Sequence, residues 1–188
     1  MKTRTLSALL LLALAASLWA AGQPAVTRLL PGANDKALPG WKPLADGLQY
    51  GKGESLTNIY DGGYQDYVDA GVVDAARNLY QRGKDMVEVT VHTMKSARAA
   101  EAFFNREVKA NDAKRVTFAL PRPPGAAPQP KHAMAIAATR EQALGYAYAG
   151  KYYITVTSMY GGTKARKDVG HFLEVVLKKA AAAAKASK

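Results

Sequence analysis

Three tyrosines and four aspartates crowd into one short stretch of this chain. Tyr60, Tyr64 and Tyr67 recur at helical spacing, and Asp61, Asp66, Asp69 and Asp74 form an acidic cluster in a basic protein. Asp66 and Asp69 are three residues apart and share a helix face. A carboxylate pair so placed can exchange protons or hold a hard cation through oxygen. The spacing matches no calcium loop, so solvation and pairing with basic residues is the preferred reading of the aspartates. Asp61 precedes Gly62-Gly63, and its carboxylate suits a bond back to a nearby amide that fixes a turn. The aromatic set reads in two ways. It is a packing face, or Trp41, Tyr60, Asp61, Tyr64 and Tyr67 line a small-ligand pocket between this segment and a sheet.

Other chemistries are thinly represented. His92, His132 and His171 lie on separate elements without metal spacing and read as surface or interfacial residues. Asp61 with His92 is the acid–base pairing left to an enzyme, and it is the weakest of the readings. There is no Gly-x-Ser-x-Gly elbow and no His-Glu-x-x-His. Gly51-Lys52-Gly53 lacks the spacing and ending of a phosphate loop. The absence of cysteine excludes thiol nucleophiles, iron–sulfur clusters and cysteine zinc sites. No catalytic residue, metal or cofactor is assigned.

The tyrosines need an element to hold them. Ser55 can cap a helix over 55–71, with Leu56, Ile59, Tyr60, Gly63, Tyr64, Tyr67 and Val68 on one face and Gly71 as its stop. Gly62 and Gly63 each cost about 1 kcal/mol against alanine inside a helix. With Gly71 they form a structural motif. They admit a close backbone, or they split the segment into a turn and a shorter helix from Tyr64.

Upstream, prolines and glycines keep 31–47 irregular and leave Trp41 in a loop, where it plugs one end of the core or faces the pocket. Downstream, Val73 to Tyr80 and Asp85 to Met94 form a hairpin. Val87, Val89 and Val91 face one way; Glu88, Thr90 and His92 face the other, which is at least partly wet. Ser96 caps a helix with Ala100, Phe103, Phe104 and Val108 along its stripe. Arg115 to Leu120 reads as a short strand. Residues 121–130 form a proline-rich loop, and three strands follow near 133–139, 143–149 and 152–159, the last two joined tightly at Gly150-Lys151. An amphipathic helix from Thr163 to about Lys179 closes a single domain over 23–179. The tail 180–188 has no face to bury and is expected to fray.

The first 22 residues read as a removable export signal. A basic lead precedes an apolar run from Leu6 to Ala20, and small residues place cleavage after Ala20 or Gly22. The net charge is +11, or +9 once Lys2 and Arg4 leave with the signal. Such an excess favours anionic surfaces or an envelope protein partner; export argues against nucleic acid. No other run is long enough to span a bilayer, so the expected location is periplasmic or secreted and not transmembrane.

The order Leu30-Pro31, Gly40-Trp41, Tyr50-Gly51, then Leu56, Tyr60-Asp61-Gly62-Gly63, Tyr67 and Gly71, resembles an exported bacterial family of domains of unknown function. That family shows a Tyr/Ile-Asp-Gly-Ala/Gly step, then a tyrosine and a glycine, followed by a strand pair and a helix start matched here by Met94, Ser96, Ala100 and Phe103. Two departures are that Tyr60 directly precedes Asp61, with no Ile between, and that Gly63 replaces Ala. The resemblance implies export and an α+β domain. A looser analogy is to PsbP-like accessory domains. The expected fold is α+β, a mainly antiparallel sheet with helices packed on it. The expected function is an exported, non-catalytic accessory or binding module of the cell envelope, with a tyrosine-lined small-ligand pocket as the alternative.

Overall fold

The computed structural model describes residues 24–186 apart from 122–124 and 126–127. The export signal over 1–22, residues 187–188 and part of the proline-rich loop lie outside the described residues.

Among the described residues, eight antiparallel strands form one sheet. Strand β1 (Lys42–Pro43) and β2 (Gln49–Lys52) both pair with β3 (Val72–Arg82). The sheet then runs β3, β4 (Asp85–Met94), β8 (Tyr152–Ser158), β7 (Ala143–Ala149), β6 (His132–Ala138) and β5 (Lys114–Val116). Two hairpin systems, β3–β4 and β6–β7–β8, are thus joined where Val89 meets Val156. The α+β class and the order of the strands follow the alternation legible in the chain. The strand expected over 115–120 is shorter than that and ends at Val116.

Helix α3 (Gly162–Ala186) covers one face. Its Val169, Phe172, Leu173, Val176 and Leu177 are fully buried over Val87, Val89, Val91, Ile154 and Val156. Each large apolar side chain so buried is worth roughly 1.5–3 kcal/mol. The helix sits close to β7: a Cβ on Gly145 would lie 2.5 Å from Val169 and 2.7 Å from Leu173. The fraying expected over 180–188 does not occur in residues 180–186. Ala180, Ala181 and Ala184 are buried, and the helix continues to Ala186. Alanine is small enough to lie on the β7–β8 turn, where a Cβ on Gly150 would stand 2.7 Å from Ala184.

The other face is covered by helix α2 (Ala97–Ala110), capped by Ser96, whose hydroxyl accepts from the Ala99 amide at 3.1 Å. It is also covered by the segment after β2. That segment is not one helix. It is a 3-10 turn (Gly53–Asn58), a bend, and a short helix α1 (Tyr64–Asp69). Gly62 and Gly63 have φ of 79° and 67°, a region costly for any residue with a Cβ, so the chain reverses there and the second alternative for this glycine pair holds. Because a second layer exists, the face of β4 opposite the valines is drier than expected. His92 and Thr90 are 1% and 4% exposed, and of the three expected to face water Glu88 alone does so.

Candidate functional site

The register of four strands lays side chains on the α2 face in rows. The first row is Ala75, His92, Tyr153 and Tyr148; the second is Arg77, Thr90, Thr155 and Tyr146; the third is Leu79, Glu88, Thr157 and Leu144. The covering layer sits on the first row. Phe103 stands edge-on to Tyr153 at 4.7 Å between ring centroids, and Phe104 lies 5.2 Å from Tyr148. The second and third rows are left beneath a gap of about 270 Å³. Ile59, Tyr60 and Tyr67 wall it from the glycine-bend segment, and Phe103 and Glu107 wall it from α2.

Tyr60 and Tyr67 are brought together by the bend. Their rings stack at 3.7 Å and 15°, which the reversal at Gly62-Gly63 makes possible. The Tyr60 hydroxyl bonds to Nε2 of His92, and Nδ1–H of His92 donates to the Tyr153 carbonyl at 3.2 Å. That pair of bonds fixes a neutral imidazole with its proton on Nδ1. Burial pushes the His92 pKa down to about 4. His92, expected at a surface or interface, is fully enclosed instead, because α1 and the Tyr60 ring close over it. Burial also drives the Tyr60 phenol well above its ordinary value, so the pair is neutral on both sides at pH 7.

The Tyr153 hydroxyl is different. It is sealed from solvent and has no hydrogen-bond partner; among the described residues one oxygen of Asp74 is the other buried side-chain atom in that state. Tyr153 lines the cavity and Asp74 does not. An unpaired buried hydroxyl costs about 1–3 kcal/mol; its oxygen presents almost no accessible surface to the cavity, so a ligand group removes that cost only with a shift of the wall around it.

The other expected site residues fall elsewhere. Tyr64 is half-buried against the aromatic cluster and does not line the cavity. Asp61 is exposed; His92 takes its side-chain bond from Tyr60, so the Asp61–His92 pairing does not form. Trp41 lies on the opposite face, edge-on to Phe172 at 5.1 Å with the Arg82 guanidinium 4.4 Å over its ring. It plugs the α3 core. Gly71, at φ 100°, ends α1 as expected. The residues that reading the sequence missed are Arg77, Thr90, Glu107, Tyr146, Tyr153 and Thr155. One signal pointed to them: the non-valine face of β4 and the threonine face of β8 are both polar, and adjacent strands with polar inner faces leave something to be satisfied.

Among the described residues, no cluster of His, Asp and Glu could hold a metal ion, and no helix is long and apolar enough to cross a membrane. No family model and no curated protein matches the chain. Among solved structures, the chain is similar to the extracellular domain of PknH from Mycobacterium tuberculosis, at 12% identity and a TM-score of 0.47, over 82% of this chain and 97% of that one. That likeness is too distant to carry a functional argument.

Proposed function

We propose that this chain is an exported, non-catalytic binding module of the cell envelope, and that it takes a small ligand in the cavity between the glycine-bend segment, α2 and the sheet. The observation that carries this reading is the Tyr153 hydroxyl, buried and unpartnered beside a gap lined by polar side chains on a sheet face that is otherwise closed. A gap near 270 Å³ lies just below the range of ligand pockets, which begins around 300 Å³, and so fits only a small molecule. Catalysis is the weaker reading, because His92 is held neutral between two partners and the Tyr60 phenol resists ionisation.

Native mass spectrometry on protein gently purified from its own envelope tests the reading. The expected result is a small-molecule adduct that disappears in Thr155→Trp, a variant that fills the gap and whose fold is verified by circular dichroism. A bare protein, or an adduct equally retained by the filled variant, contradicts it.

A second reading, the accessory module that docks on an anionic partner or surface, draws on Arg166 and Lys167, exposed on the outer side of α3 beside His171. Reversing both charges should abolish capture of that partner at low salt. Lys164 is a poor choice for this test because it is paired with Asp85.

A further inference from the structure

We propose that the cavity holds a small organic ammonium ion, with its N–H groups directed to Glu107 and the Tyr153 hydroxyl and its apolar body against the faces of Tyr60, Tyr67 and Phe103. This rests on the cavity being a ligand site and adds the charge and shape of what enters it.

The charge comes first. The lining carries Glu88 and Glu107 against one cation, Arg77. Arg77 is already occupied: its guanidinium donates to the Gln49 side-chain oxygen and lies 3.6 Å from Glu88. No cation is left for an anionic ligand. The groove that adjoins the cavity at Glu107 is edged by Asp66 and Asp69, with Arg106 as its basic residue. The two spaces together present four carboxylates and two guanidinium groups, in a chain whose net charge is +11. Local acidity of this kind, set into a basic protein, recruits cations to one place.

The field of Glu107 is felt across the cavity. After burial, it is the largest influence raising the phenol pKa of Tyr67, Tyr146 and Tyr153, and Tyr146 is pushed up to about 12. His92 contributes no opposing charge. Arg106 pairs with Glu107 at 2.9 Å and its guanidinium lies 4.1 Å over the Phe103 ring, so a ligand ammonium displaces it from both; with 52% of its side chain exposed, solvent can take it.

The shape follows from the rings. Aromatic faces attract an organic cation, and the attraction strengthens where water is excluded. Carboxylates only accept hydrogen bonds, so Glu107 calls for a donor with several N–H bonds, and the Tyr153 hydroxyl, both donor and acceptor, can accept one of them. A primary ammonium on an apolar body meets these conditions; a carboxylate could take the Tyr153 O–H but would face Glu88 and Glu107 with no free cation.

Isothermal titration calorimetry of the exported protein with benzylamine, benzyl alcohol and benzoate tests the proposal, since the three differ mainly in charge. Benzylamine should bind at least about tenfold tighter than benzyl alcohol, a ratio set by one charge-assisted contact, and benzoate should not bind. Glu107→Gln should remove that advantage, leaving benzylamine no tighter than benzyl alcohol. Tyr153→Phe, which removes only a hydroxyl, should weaken benzylamine and serves if Glu107→Gln alters the fold. Equal binding of amine and alcohol, or preference for benzoate, overturns the ammonium inference while the cavity remains a ligand site. Failure of all three to bind, with no adduct in native mass spectrometry, overturns both.

Discussion

Under α3, Val87, Val89 and Val91 meet Phe172, Leu173 and Val176 with no polar group between them. On the opposite face the alternate residues of the same strand are Glu88, Thr90 and His92, and their covers are tyrosines. On the α3 side Asp168 accepts from Arg82 and Tyr160 at 2.6 Å each, Asp85 receives Lys164, and Asp74 accepts from the Tyr50 hydroxyl at one oxygen while its other oxygen is buried without a partner. On the α2 side a phenol is left open beside a gap. One strand therefore serves both a packed core and a polar floor, because side chains alternate across a sheet. The α3 face supplies stability, and the α2 face gives some of it up to keep a space.

That contrast can be broken at several points. Phe172→Ala, in the packed face, should cost about 3–5 kcal/mol in chemical denaturation, and ligand binding should survive wherever the fold does. A loss below about 1 kcal/mol would mean that the α3 face is not the dominant core.

The next effect is pH. His92 is neutral in the folded state with a pKa of about 4, against 6.5 in an open chain. As pH falls the unfolded chain takes up this proton first, so stability is full above about pH 6.5 and declines toward pH 4, by about 3 kcal/mol in all. Denaturation midpoints measured across that window should show the slope in the native protein and lose it in His92→Gln.

Tyr60→Phe should cost about 1–3 kcal/mol, because it strands the buried Nε2 of His92 without a donor. The smallest effect should have the opposite sign. Tyr153→Phe removes a hydroxyl that has no partner, so unliganded stability should hold or rise by up to about 1 kcal/mol. A destabilisation there would show that the hydroxyl is satisfied by water and is not waiting for a ligand.

Local signals carried most of the fold. Alternation in β4, the tight turn at Gly150 and the Ser96 cap each depend on residues close in sequence, and each lies where expected. The misplacements are all long-range. Trp41 could not be assigned to a face, because its side depends on β1 pairing with the far end of β3. His92 looked accessible, since the layer that buries it arrives from residues 60–67. The alanine tail seemed faceless until the β7–β8 turn gave it one. Of the site, Tyr60 and Tyr67 were legible as a pair at helical spacing. Glu107 was hidden among surface charges of α2, and Tyr153 among alternating strand residues.

The most direct test of the division between the faces is an NMR titration of ring-labelled tyrosines with benzylamine and then with benzyl alcohol. Shifts are expected at Tyr60, Tyr67, Tyr146 and Tyr153, with Tyr80 and Tyr152, both in the α3 core, unmoved. Shifts centred on Tyr80 and Tyr152, or none at any tyrosine with either compound, would contradict that division.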